Sequence, residues 1–143
     1  MAYSQDVAIA ICDRLAKGEP LKRICEDEGM PSYATVRRWE MDDPEFRALS
    51  TRAREIGCHA IADECLQIAD DGRNDWMEGH GEDAGWKLNG EHIQRSKLRI
   101  ETRMRLLGKW LPKVFGDKIE QTIQGPDGGA IDIITRRVVD PKA

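Results

Sequence analysis

The feature that most constrains this chain is a basic amphipathic segment, Ile93 to Lys118, inside an otherwise acidic protein. The segment carries eight basic and two acidic residues, whereas the whole chain has a net charge of −4. Its apolar residues recur at spacings of three, four and seven, which predicts a helix with one apolar face. They are Ile93, Ile100, Met104, Leu107 and Leu111. Pro112 and Gly116 are expected to end this helix, which needs a partner helix and an acidic surface.

Residues 43–71 provide that partner. Asp43-Pro44-Glu45 combines a capping aspartate, a first-turn proline and a first-turn acid, so a helix is predicted to start there and to run to about Asp71. Its polar face is acidic, with Glu55, Asp63, Glu64, Asp70 and Asp71. Together the two segments predict an antiparallel helical hairpin. The hairpin is either purely intramolecular, or its remaining apolar and charged faces join neighbouring subunits. The positions predicted to support oligomerisation are Phe46, Leu49, Ile56, Ile100, Met104, Leu107 and Trp110.

The N-terminal residues predict three short helices, at 5–17, at 20–27 and after the capping residue Ser32. A glycine turn at Gly29 separates the second helix from the third, which is the pattern of a helix-turn-helix. Val36 and Trp39 are expected to face inward. The outward positions carry hydroxyls and guanidinium groups that suit phosphates and base edges in a major groove. These positions are Tyr33, Thr35, Arg37 and Arg38.

Two observations weigh against strong DNA binding by one copy. A helix-turn-helix can also be a small bundle with a solvated face that contacts proteins. Acidic residues surround the third helix, so affinity is expected to come from several copies on one duplex. These residues are Glu26, Asp27, Glu28, Glu40, Asp42 and Asp43.

Residues 72–91 join the two hairpin helices and show no sustained period, so they are predicted to be a long loop with at most a turn of helix near Trp76 or Trp86. The loop contains a cluster of side chains that could act as metal ligands, but we interpret it as a solvated acidic loop. The cluster consists of Glu78, His80, Glu82 and Asp83. After Gly116 the apolar residues alternate at 119–123 and 131–135 around a Gly-Pro-Asp-Gly-Gly turn, which predicts a β-hairpin. The edges of this hairpin would be paired if strands from several subunits closed into a barrel.

Several classes of function are not supported by the sequence. The N-terminus lacks the basic region of a signal peptide, and no stretch is long enough to span a membrane. No phosphate-binding GxxxxGK[ST] motif occurs, and no acidic pair has a supporting two-metal nuclease motif. We therefore predict no catalytic residue, no metal site and no cofactor. The cysteines form no CxxC pair and are expected to be reduced, buried side chains. They are Cys12, Cys25, Cys58 and Cys65.

These segments resemble the small subunit of terminases from short-tailed double-stranded-DNA phages. The resemblance runs from about Val7 to Ile133, excepting the loop at 72–91. It is carried by GMPSYATVRRWE, DPEFR, ECLQIADD, RLLGKWLPKVFGDK and DGGAIDI. The family implies a homo-oligomeric ring with a helical-hairpin core, peripheral helix-turn-helix domains and an axial barrel of C-terminal strands. Such a ring recognises the packaging-initiation site on concatemeric viral DNA, and recruits and regulates the large ATPase and nuclease subunit.

The resemblance implies a role for particular residues and partners. The expected DNA contacts are Lys17, Lys22, Arg23, Ser32, Tyr33, Thr35, Arg37 and Arg38. The expected partners are double-stranded viral DNA, seven or eight further copies of the chain in an octamer or nonamer, and the large subunit through the C-terminal region. The expected location is the host cytoplasm during phage assembly.

The predicted organisation is therefore mainly α. A DNA-binding domain at 1–42 precedes a helical-hairpin core at 43–115, a β segment at 116–136 and a tail at 137–143. Two other functions stay open at this point. One is a dimeric helix-turn-helix transcription regulator that reads a two-fold site. The other is a small enzyme built around the acidic loop.

Overall fold

A computed structural model describes residues 2–119 and 121–130 of the chain. The main helices are α1 (Gln5–Ala16), α2 (Leu21–Ile24), α3 (Tyr33–Asp42), α4 (Pro44–Asp70) and α5 (Gly90–Trp110). A two-stranded sheet, β1 (Trp76–Gly79) with β2 (Gly85–Leu88), lies between α4 and α5, and a short helix α6 (Pro112–Phe115) follows α5. The mainly helical fold class is confirmed, and the small antiparallel hairpin of the structure lies at 76–88. No helix within the described ranges is both long and apolar enough to cross a membrane.

The helix starts follow the local chemistry of the sequence. The Asp43 carboxylate accepts hydrogen bonds from the backbone N–H groups of Glu45 (2.9 Å) and Phe46 (3.1 Å), so α4 begins where the sequence predicts. Asn89 caps α5 in the same way through the His92 N–H at 3.2 Å, so the helix begins at Gly90, three residues before the predicted basic segment. Helix α2 is shorter than predicted and ends at Ile24 rather than near residue 27.

The N-terminal helices pack on the first half of α4. Their shared core joins buried residues of all four helices, namely Ala8, Ile11, Leu15, Leu21, Ile24, Val36, Trp39, Phe46 and Ala53. Tyr3, Trp39 and Phe46 make edge-to-face ring contacts with centroids 5.1 to 6.0 Å apart. The core of the N-terminal unit therefore extends past the predicted domain boundary at residue 42, because the start of α4 completes it.

Helices α4 and α5 form the predicted antiparallel hairpin. Glu64 of α4 accepts hydrogen bonds from Arg99 at 3.4 Å and from Arg103 at 3.3 Å, both on α5. Of the five acids predicted for the polar face of α4, Glu64 alone has an ion pair with α5 among the described residues, since Asp71 instead binds Arg73 and Glu55 binds Arg52. The predicted charge attraction between the two helices is therefore present, but among the described residues it involves one acidic residue of α4 instead of five.

Two predictions about strands need correction. The segment predicted as a loop contains an antiparallel hairpin in which Trp76 pairs with Leu88 and Glu78 with Trp86. These strands are four residues long, too short to show a period in the sequence. The predicted strand at 119–123 has no strand structure in its described residues, where Ile119 and Ile123 are exposed and pair with no strand in the described part of the chain. The second predicted strand and the tail lie outside the described residues.

Candidate nucleic-acid interface

Helix α3 begins with a hydroxyl cap that holds two of the predicted contact residues. The Ser32 Oγ accepts a hydrogen bond from the Thr35 N–H at 3.3 Å, and the two side-chain hydroxyls lie 2.9 Å apart. Buried Pro31 precedes the cap and fixes the entry of the chain into the helix. Ser32 is therefore exposed at the helix start, whereas Thr35 is half-buried and its hydroxyl is already engaged.

Tyr33, Arg37 and Glu40 form one connected group on α3. The guanidinium of Arg37 donates to the Tyr33 hydroxyl through Nε at 3.1 Å and through Nη2 at 3.0 Å, and lies 5.1 Å from the centre of the Tyr33 ring. Its Nη1 donates to the Glu40 carboxylate at 2.7 Å. The charge of Arg37 is thus already partly neutralised before any DNA approaches.

Glu40 connects this group to α4. Besides Arg37 it binds the Ser50 hydroxyl and the Arg54 guanidinium, the latter at 3.3 Å, and its side chain is only 12% exposed. Burial alone would raise the pKa of Glu40, but hydrogen bonds from Ser50 and Arg37 and the charges of Arg54 and Arg37 outweigh it and hold the pKa below its usual value. The sequence shows Glu40 only as one more acid near α3, although its spacing of three from Arg37 is the signal of an ion pair.

Glu40→Gln should lower the free energy of unfolding at pH 7 by about 1–3 kcal/mol, because the substitution removes the charge that three polar partners share. Because the folded-state pKa of Glu40 is below its unfolded value, this contribution is present above the unfolded pKa and is lost as the pH falls through the folded pKa. Urea unfolding of both proteins at pH 7 and pH 3 checks the result. The exposed Glu26→Gln is the control, and an equal loss at both pH values would show that packing, not charge, is responsible.

Arg38 differs from Arg37 in having no partner among the described residues. It is exposed, and it makes no hydrogen bond or ion pair with any residue in the described ranges. Lys17, Lys22 and Arg23 are also exposed, at the end of α1 and in α2. No described hydrogen bond or ion pair joins these three to the α3 group, so the structure brings together only the residues of α3 and its cap.

The acidic residues before α3 differ in whether they form ion pairs or are exposed to solvent. Arg14 of α1 binds Asp27 at 2.5 Å and Glu19 at 2.5 Å, which fixes the segments on either side of α2 to α1 and lowers the pKa of Glu19. Glu26 and Glu28 are exposed in the turn. From the sequence, the negative charge around α3 is expected to oppose DNA binding. Part of this charge is therefore neutralised by ion pairs within the chain.

The residues predicted for oligomerisation divide into three groups by burial. Phe46 and Leu107 are fully buried in the single chain, so their side chains are core residues and are not accessible to another subunit in this conformation. Ile100 is half-buried between α4 and α5. Four residues are exposed and remain available, namely Leu49, Ile56, Met104 and Trp110.

The cysteines and the acidic loop complete the set of candidate sites. Burial raises the pKa of all four thiols, which favours the protonated, unreactive form. Cys58 and Cys65 are buried as predicted, whereas Cys12 and Cys25 are half-buried. Within the described residues no three His, Cys, Asp or Glu side chains are grouped as metal ligands would be.

The chain is similar to known proteins over most of its length. Residues 3–122 match the family described as Bacteriophage Sf6, terminase small subunit-like. Three crystal structures of single-substitution variants of the terminase small subunit gp1 of the bacterial virus Sf6 resemble the chain, with TM-scores of 0.68, 0.67 and 0.67. They are 31%, 30% and 30% identical in sequence, and each comparison covers 99% of this chain and 98% of the relative. No curated protein sequence matches this chain.

Proposed function

Because this chain belongs to the Sf6 terminase small subunit-like family, we propose that it recognises viral DNA at the packaging-initiation site as a homo-oligomeric ring. In this proposal the ring recruits and regulates the large ATPase and nuclease subunit in the host cytoplasm, and the chain itself is not catalytic. The C-terminal region is the proposed contact with the large subunit, and eight or nine copies form the ring.

The observation that carries the DNA-binding part is the exposed face of α3. Arg38 presents to solvent a guanidinium that no described residue pairs with, and Tyr33 and Arg37 form an aromatic and cationic pair on the same helix. Arginine and tyrosine donors suit phosphate oxygens, and arginine also suits guanine edges in the major groove. Ser32, at the exposed start of the helix, adds a hydroxyl and the helix N-terminus as a site for a phosphate.

The organisation of the chain supports a division of labour between its two halves. We propose residues 1–42 as the DNA-binding unit, with the first half of α4 as its packing base, and residues 43–115 as the oligomerisation core. Lys17, Lys22 and Arg23 lie outside the α3 group and are proposed as secondary contacts to the DNA backbone. Residues 116–136 and the tail at 137–143 are proposed as the remaining units.

Arg38→Ala should weaken binding to double-stranded DNA about fivefold to tenfold and reduce the slope of log affinity against log salt by about one. Arg37→Ala should have a smaller effect, because the charge of Arg37 is already partly neutralised by Glu40. Fluorescence anisotropy with a viral DNA fragment at two salt concentrations measures both quantities. Arg73→Ala is the matched control, since Arg73 is exposed and lies beyond the far end of α4. Unchanged affinity and slope in Arg38→Ala would remove α3 from the proposed interface.

A further inference from the structure

The outer face of α4 carries acidic and apolar residues that have no partner among the described residues of their own chain. Asp63, Leu66 and Asp70 follow one another at spacings of three and four, so their side chains share one side of the helix, and Ile56 lies seven residues before Asp63. Leu66 is 65% exposed, and neither aspartate makes an ion pair within the described residues. We call these four residues the acidic stripe.

The outer face of α5 carries the complementary chemistry. Arg95, Leu98, Arg105 and Lys109 lie on one side of α5, at spacings of three, seven and four. Leu98 is 60% exposed, Arg95 makes only a long contact of 3.9 Å with Glu91, and Arg105 and Lys109 make no ion pair with a described residue. We call these four residues the basic stripe.

The two stripes lie on opposite sides of the helical hairpin. Two residues along a helix are separated by roughly 200° around its axis. Asp63 is therefore turned away from buried Cys65, and Arg105 from buried Leu107. Since these buried residues face the interior of the hairpin, one stripe points outward from α4 and the other outward from α5.

The contacts inside the hairpin fix the height of each residue along its axis. Glu64 lies level with Arg99 and Arg103, and the groove next to it brings Ile68 and Asp71 level with residues 93–100. A copy rotated about an axis parallel to the hairpin keeps these heights. Asp70 of one copy then faces Arg95 of the next, Leu66 faces Leu98, and Asp63 lies within one turn of Arg105.

We propose that the acidic stripe of one copy docks on the basic stripe of the next in this register, an inference that rests on the proposed oligomeric function. The contact is head-to-tail, because a two-fold dimer through either stripe would oppose like charges. A head-to-tail contact whose rotation closes around an axis generates a ring, so the charge pattern fits a ring and opposes the two-fold dimer of a transcription regulator. Opposite charges at matching heights set the register, and the paired leucines bury apolar surface.

Charge reversal in the full-length chain tests this register. Asp70→Arg and Arg95→Asp should each raise the concentration at which half of the chains are assembled by at least about tenfold, because each places like charges opposite one another. The double variant Asp70→Arg, Arg95→Asp should restore assembly to near the wild-type concentration. Glu28→Arg reverses the charge of an exposed turn residue outside both stripes and is the control. Sedimentation velocity and native mass spectrometry give the assembled mass, and circular dichroism compares the folds.

The results of these experiments distinguish a failure of the stripe register from a failure of the proposed ring assembly. Single variants that assemble into wild-type rings, or a double variant that fails to recover, would overturn the stripe register and leave ring assembly standing. A wild-type protein that is a two-fold dimer at every concentration would overturn ring assembly itself, and the register with it.

Discussion

Phe46→Ala is expected to lower the free energy of unfolding by about 3–5 kcal/mol, a large share of the roughly 5–15 kcal/mol that holds a typical domain together. The Phe46 side chain is 0% exposed and its ring lies 6.0 Å from the rings of both Trp39 and Tyr3. Truncation removes both edge-to-face contacts and leaves a cavity where α1, α3 and α4 meet. Because Phe46 is in the third position of α4, the loss falls on the junction between α3 and the hairpin.

Urea denaturation followed by tryptophan fluorescence measures this loss, since Trp39 lies inside the affected core. Met41→Ala is the control, because Met41 lies on the neighbouring helix but is 75% exposed and should change stability by no more than about 0.5 kcal/mol. Equal unfolding midpoints for the two variants would mean that Phe46 contributes no more than a surface side chain, and the core described for the N-terminal unit would be wrong.

Phe46 also shows where reasoning from the sequence stops. The stripe of apolar residues on α4 is correctly predicted, but a stripe does not say which partner covers it. Phe46 packs on α1 and α3, whereas Ile56, ten residues along, is exposed on the outer face. Which residues of the stripe are covered depends on how the N-terminal helices fold back on α4, and this is a property of the tertiary structure.

Local chemistry was sufficient for the helix starts, because caps act over three or four residues. Ser32 and Asp43 both accept the backbone hydrogen bonds expected of them. The hairpin at 76–88 was missed because its strands are held by pairing with each other across a turn, as Trp76 and Leu88 are. Such pairing is non-local, and two glycines with positive φ, Gly81 and Gly85, allow the turn between the strands without leaving a periodic signal.

The sequence predicted which residue types form the candidate DNA interface, but it did not predict which of their side chains already have a partner within the chain. The sequence places Arg37 and Arg38 side by side with the same expected role. The structure separates them, because Glu40 lies one turn from Arg37 and is itself anchored by Ser50 and Arg54 of α4. The partners on α4 are ten and more residues away along the chain, so no local pattern reveals that Glu40 is held against Arg37.

Gly57→Ala is expected to destabilise the chain although alanine is the better helix former. At an exposed site in the middle of a helix the change would stabilise by up to about 1 kcal/mol. Here a Cβ on Gly57 would lie 2.1 Å from the backbone carbonyl oxygen of Leu15 in α1 and 3.3 Å from the Gly18 nitrogen. Both are backbone atoms, so relief requires α1 to move away from α4. Overpacking of this kind costs about 1–3 kcal/mol or more, and it outweighs the gain in helix propensity.

The movement that relieves this clash also has a functional consequence. The end of α1 would separate from α4 beside an apolar cavity of about 360 Å³ that Leu15, Leu21 and Ile61 line. In the proposed function, the DNA-binding unit would then be held less firmly on the oligomerisation helix. We therefore expect the melting temperature of Gly57→Ala to fall by several degrees, and its N-terminal amides to exchange with solvent faster. Gly90→Ala is the matched control, because nothing lies within 4 Å of its added Cβ and it should be neutral or stabilising. A Gly57→Ala protein that melts at or above the wild-type temperature would show that α1 and α4 do not approach this closely.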